Sequence, residues 1–141
     1  MKKVYFCHPF KSNQAKNIAL VKQAVIACRE IFPDILPIAP HLYLPNFFNE
    51  ETERDEAMQA CISLVNASKE QWVFITPEGT TSGMRIEIDR AKAIGMQVRE
   101  VVFAIEPEKC PYFQFCLPGT IALMDIANTY AQIQAMQGAT K

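Results

Sequence analysis

One apolar run, Trp72-Val73-Phe74-Ile75, gives way to a polar stretch containing Gly79 and Gly83, and residues with helical spacing follow. An apolar run this short, ending in turn-forming residues and followed by a helix, reads as a buried strand feeding a crossover. On the expected helix, Met84, Glu87, Ile88, Ala91, Ile94 and Gly95 share one face, and Glu87 is its only charged member. A carboxylate on a core-facing side is costly unless paired or used, so Glu87 is the first candidate for chemistry. Asp89, two positions on, points elsewhere and cannot form an acid/base pair with it. The alternative is a carboxylate that favours the positive end of the helix dipole.

The same alternation recurs along the chain. Residues 3–6 read as a strand, and Ser12 is placed to cap a helix ending near residue 31. Ile18, Val21, Val25, Cys28 and Phe32 recur there at steps of three and four, which marks one buried face. Pro33 stops it. Residues 35–39 form a second strand restricted by Pro37 and Pro40. After the aromatic stretch 41–49, a second helix spans 51–67 with Met58, Cys61, Ile62 and Val65 inward. Strand 71–75, helix 84–94 (ended by Gly95) and strand 98–105 complete a β-α-β-α-β-α-β order. That order predicts a three-layer α/β sandwich with a mainly parallel sheet, flavodoxin- or Rossmann-like. The loops 7–11, 41–49 and 76–83 should then meet at one sheet edge.

From residue 106 the pattern changes. Pro107, Pro111 and Pro118 break the chain, and a helix is expected over 120–137, with Leu123, Ile126, Tyr130 and Ile133 on one side and Ile121, Met124 and Ala131 on another. Two apolar sides on such a helix point to a homo-oligomer, with packing on the domain's own core as the alternative. The 141 residues fit one domain, 1–141, with a core over 1–105 and the proline-rich connection and helix over 106–141.

A net charge of −1 gives no general attraction to nucleic acid polymers or anionic membranes. Neither a long apolar span nor a signal-peptide pattern is visible, so the chain reads as cytoplasmic. The five cysteines, Cys7, Cys28, Cys61, Cys110 and Cys116, are odd in number and lack a CxxC pair, which fits reduced thiols. Cys28 and Cys61 fall on apolar helix faces, as core residues do. Cys7, His8 and His41 lack metal-ligand spacing, and no metal site is expected.

The stretch Thr81-Ser82-Gly83-Met84-Arg85-Ile86-Glu87-Ile88-Asp89-Arg90-Ala91 resembles the signature of the nucleoside 2-deoxyribosyltransferase-like superfamily, which includes 2′-deoxynucleoside 5′-phosphate N-hydrolases. Val4-Tyr5-Phe6-Cys7-His8-Pro9-Phe10 is similar to the first strand and ligand loop of these enzymes. The resemblance covers residues 3–102. It is stronger still to an uncharacterised bacterial and phage branch with an Ala39-Pro40-His41-Leu42-Tyr43 segment, Arg54 and Trp72-Val73-Phe74. The Pro77-Glu78-Gly79-Thr80-Thr81 run before Glu87 is also similar, without the glycine pair, to a motif of the nucleoside-monophosphate phosphoribohydrolases.

The resemblance implies cleavage of an N-glycosidic bond with no metal or organic cofactor. Glu87 would attack the anomeric carbon and form a glycosyl-enzyme that water or a second base resolves, so Glu87 must be ionised; nearby helix-start amides would favour that. It implies that Tyr5 orients Glu87, and that Cys7, His8, Pro9, Phe10, Lys11, His41, Thr81, Ser82, Gly83 and Met84 bind a nucleoside or nucleotide, Lys11 meeting a 5′-phosphate. Relatives carry a base-contacting aspartate where this chain reads Met58-Gln59-Ala60-Cys61-Ile62, and an acidic residue or serine where it has Thr81. Those departures favour hydrolysis over base exchange. They also admit a non-catalytic nucleotide-binding module as an alternative, and a structural protein after that.

Overall fold

Val4 and Phe6 face one side of the first strand, Tyr5 and Cys7 the other, and all four are buried. A strand buried on both faces belongs inside a sheet covered by helices on both sides. The computed structural model describes residues 1–76, 78–104 and 120–124. In chain order the elements are β1 (Lys2–Cys7), α1 (Gln14–Ile31), β2 (Ile35–Ile38), α2 (Arg54–Asn66), β3 (Glu70–Phe74), α3 (Ser82–Ala93), β4 (Gln97–Ala104) and β5 (Thr120–Met124). Short 3-10 turns at Lys11–Asn13, Pro40–Leu42 and Leu44–Asn46 lie in the loops.

The sheet runs in the order β2-β1-β3-β4-β5. The first four strands are parallel, with Tyr5 opposite Ile38 and Gln71, and Phe74 opposite Val101. One face carries Val4, Phe6, Trp72, Phe74 and Val101 against Ala24, Ala27 and Cys28 of α1. The other carries Tyr5, Cys7 and Val73 against Val65 of α2 and Met84 and Ala91 of α3. This is the expected three-layer α/β sandwich.

Local chemistry sets the helix ends. The Asn13 side chain, rather than Ser12, caps α1 by accepting from Lys16 N at 3.3 Å. At the far end Phe32 N donates to Cys28 O at 2.8 Å before Pro33. Thr81 Oγ1 caps α3, accepting from Met84 N at 3.3 Å. Gly95, at φ 73°, reverses the chain, and Met96 N donates to Ala91 O at 2.9 Å. Ile94 and Gly95, expected on the buried face, are exposed, because the helix has ended by then.

Glu70 ties three strands together. Its carboxylate accepts from Lys2 Nζ at 2.8 Å, from Trp72 Nε1 at 2.8 Å and from Arg99 Nε. Burial pushes its pKa up, but these three donors outweigh burial and hold it below the usual carboxylate range.

Residues 120–124 correct the expected terminal helix. They form β5, antiparallel to β4, with Val101 opposite Leu123. The exposed edge of β4 offers a row of backbone partners, and Thr120-Ile121-Ala122-Leu123-Met124 takes them. The rest of that expected helix, the proline-rich connection, Pro77, Cys110 and Cys116 lie outside the described residues.

Candidate functional site

The crossover from β1 leads to β2 on one side, while β3 pairs with β1 on the other. Strand order therefore reverses between β1 and β3, and the crevice outside the carboxyl ends of such a pair is where ligands bind in open α/β sheets. A cavity of about 500 Å³ opens there. The loop after β1 supplies His8, Phe10 and Lys11 to its wall; the loop after β2 supplies Pro40, His41, Leu44, Pro45, Phe48 and Glu50. Helix α2 adds Arg54, Ala57, Met58 and Cys61, and the start of α3 adds Thr81, Ser82, Gly83, Met84 and Glu87.

Glu87 is the sixth residue of α3 and only 6% exposed. Tyr5 Oη donates to its Oε1 at 2.9 Å. Burial, and after it the Glu87 carboxylate, push the Tyr5 phenol well above its ordinary pKa, so Tyr5 keeps its proton and stays a donor. The other oxygen, Oε2, is buried without a hydrogen-bond partner among the described residues. Burial pushes the Glu87 carboxyl up to about 7, against the opposing pull of the Tyr5 and Cys7 hydrogen bonds. The Cys7 thiol has one proton and two acceptors in reach, Met84 O at 3.7 Å and the Glu87 carboxyl. Charge on Glu87 is thus supported by the Tyr5 hydroxyl, and by the Cys7 thiol when its proton turns from Met84 O to the carboxyl. The helix-start amides expected to help are a turn away, and Thr81 already occupies Met84 N.

Gln71 anchors the helix backbone here, its Nε2 donating to Glu87 O at 3.2 Å. Such a fully buried amide aimed at α3 escapes sequence reading, because a glutamine inside a strand has no local signal for its partner. Gly83 has no positive φ, so no tight turn requires glycine there. A Cβ at that position would lie 3.4 Å from Met58 Cε, and the missing side chain leaves the backbone open to the cavity.

Of the residues singled out from the sequence, His8, Phe10, Lys11, His41, Thr81, Ser82, Gly83, Met84 and Glu87 line the cavity. Tyr5 and Cys7 sit behind it, within reach of Glu87; Pro9 is fully buried and does not line it. Met58 and Cys61, inward by their spacing on α2, are both cavity wall, and Cys61 also packs against the core. Arg54 at the start of α2 joins Lys11 as an exposed cation at the rim; no ion pair holds either among the described residues. Burial lowers the His8 pKa, and burial together with His8 lowers that of His41 to about 4, so both rings are neutral at pH 7. Among the described residues no three His, Cys, Asp or Glu side chains are grouped to hold a metal ion. No described helix is long and apolar enough to cross a membrane.

No curated protein matches this chain. A solved structure of a 2-deoxyribosyltransferase from the psychrotolerant bacterium Bacillus psychrosaccharolyticus is similar to it, with a TM-score of 0.50 and 18% identity over 73% of this chain and 72% of that one. That likeness carries the fold. The family profile described as a domain of unknown function, DUF7768, matches residues 2–101, and the chain belongs to that family.

Proposed function

We propose that this protein cleaves the N-glycosidic bond of a nucleoside or nucleoside 5′-monophosphate, with Glu87 as nucleophile. One observation carries the reading. A buried carboxylate has one oxygen held by Tyr5 and the other without a partner among the described residues, on the wall of a cavity large enough for a nucleoside. Ionised Oε2 attacks the anomeric carbon as the bond to the base breaks; the bonding pair leaves with the base, which takes up a proton. Water then attacks the same carbon of the glycosyl ester, gives up a proton that balances the one taken by the base, and frees Glu87 as the carboxylate. The cavity face of α2 presents Arg54, Ala57, Met58 and Cys61 and no carboxylate to hold a second base, which supports hydrolysis over exchange.

The test is release of free base from a panel of nucleosides and 5′-monophosphates. Glu87→Gln should lower the rate by about 10³-fold or more, as loss of a nucleophile does. Unchanged turnover in that variant would remove the proposal. A second reading, a binding module without turnover, is favoured by the shielding of Oε2 from solvent; saturable nucleoside binding with no base released would select it.

A further inference from the structure

We infer that His41 is a specificity-determining residue of the nucleoside cavity: its Nδ1 accepts a hydrogen bond from a neutral donor of the bound molecule, an exocyclic amine of the base or a hydroxyl of the sugar. The inference rests on reading this cavity as the nucleoside site.

A backbone carbonyl fixes the tautomer. His41 Nε2 lies 2.8 Å from His8 O. A carbonyl oxygen only accepts, so the proton is on Nε2. The ring is neutral at pH 7, being buried and beside a second imidazole. Its Nδ1 is then a bare lone pair. That atom is buried and has no partner among the described residues. The ring cannot turn to relieve it without losing the His8 bond, and the rings of His8 and Phe10 box it in, with centroids 5.9 and 5.3 Å away at 88° and 75°. His41 itself is 7% exposed and lines the cavity.

An unsatisfied buried acceptor is costly, and native structures pair nearly all of them. Almost none of the Nδ1 surface is exposed, so an occupant of the cavity reaches it only with a small shift of the wall and satisfies it only by bringing a donor. A phosphate brings oxygens and would set lone pair against lone pair. His8 offers no remedy from its Nδ1, which faces Pro9 O at 2.8 Å. The histidine wall therefore selects an N–H or O–H, and any phosphate belongs at the cationic rim of Lys11 and Arg54.

Two measurements test this. Nitrogen-15 spectra of the wild-type protein should show a proton on His41 Nε2 and none on Nδ1, with the Nδ1 resonance moving on addition of adenosine or cytidine. Calorimetry in a Glu87→Gln background, chosen to stop turnover, would compare these nucleosides with their amine-free analogues (purine riboside and pyrimidin-2-one riboside) and with their 2′-deoxy and 3′-deoxy forms. One missing group should weaken binding about tenfold, and His41→Phe should weaken the parent nucleoside about tenfold while leaving that analogue unchanged. Whether it is the amine or a hydroxyl identifies the donor. A proton found on Nδ1, or an equal loss for every ligand on His41→Phe, overturns the inference alone. Failure of every nucleoside to bind either the wild-type protein or the Glu87→Gln form overturns the nucleoside reading and this inference with it.

Discussion

Tyr5 on the first strand and Glu87 on the third helix are 82 positions apart in sequence and 2.9 Å apart in space, phenol to carboxylate. The bond crosses from sheet to helix beneath the cavity. It leaves one carboxylate oxygen engaged and the other without a partner among the described residues. Loss of the hydroxyl in Tyr5→Phe removes a donor to a charged group, which contributes about 1.5–3 kcal/mol. The Glu87 pKa should then climb from about 7 by roughly one to two pH units. A pH–rate profile of base release should move its acidic limb upward by the same amount, and an unmoved limb would separate Tyr5 from the ionisation of Glu87.

The wild-type profile has its own expected shape. A nucleophile with a pKa of about 7 is mostly protonated at pH 6 and mostly ionised at pH 8. Turnover should rise about tenfold between pH 5.5 and 6.5 and level off above 7.5. A rate that is flat across this range excludes ionisation of Glu87 as the controlling event.

Stability should run the other way. The folded protein holds the Glu87 proton up to about 7, whereas the unfolded chain releases it near 4.5. The contribution is fully present below 4.5, declines as pH rises through the window, and is lost above 7. It amounts to roughly 3 kcal/mol. Glu87→Gln does not titrate, so its advantage in Tm over wild type should grow from pH 5 to pH 8. Thermal unfolding of the pair at four pH values measures this, and parallel curves would contradict it.

Gly83→Ala separates folding from access. The backbone there is ordinary helix, and alanine is favoured over glycine in helices by up to about 1 kcal/mol. The new methyl would meet only the flexible end of Met58 at 3.4 Å. Tm should hold or rise slightly, while kcat/KM falls about tenfold if substrate passes close to this backbone. Equal activity would show that no ligand approaches Gly83.

At the rim, Lys11→Ala and Arg54→Ala should each raise KM for a 5′-monophosphate a few-fold and leave the parent nucleoside unchanged. Exposed charges give small, salt-sensitive effects, so the difference should shrink at 0.5 M salt. Identical effects on both substrates would assign these residues a structural role.

Much of this was legible in order and spacing. The three-four steps on α1 and the run Trp72-Val73-Phe74 name their elements locally, and they fixed four strands and three helices. Glu87 stood out because one carboxylate on an apolar face has few benign explanations. What failed was non-local. The run 120–124 has apolar residues compatible with a helix, and only the free edge of β4 makes it a strand. Glu70 carries no local sign of its role, since Lys2 and Arg99 reach it from other strands. The expected cap at Ser12 was off by one residue, because serine and asparagine compete on equal terms for that position. The roles of Arg54, Phe48 and Leu44 in the cavity follow from how the loop after β2 folds back, which has no periodicity to read.

The second strand has a consequence for how this molecule meets its own copies. It borders the described sheet, is four residues long, and has Pro37 within it and Pro40 just beyond. Proline deprives the ladder of a donor, and so short a border offers little template. Crowded copies of this protein should therefore resist fusing sheet to sheet along that side, a safeguard against fibrillar assembly written into the same segment that delivers His41 to the cavity.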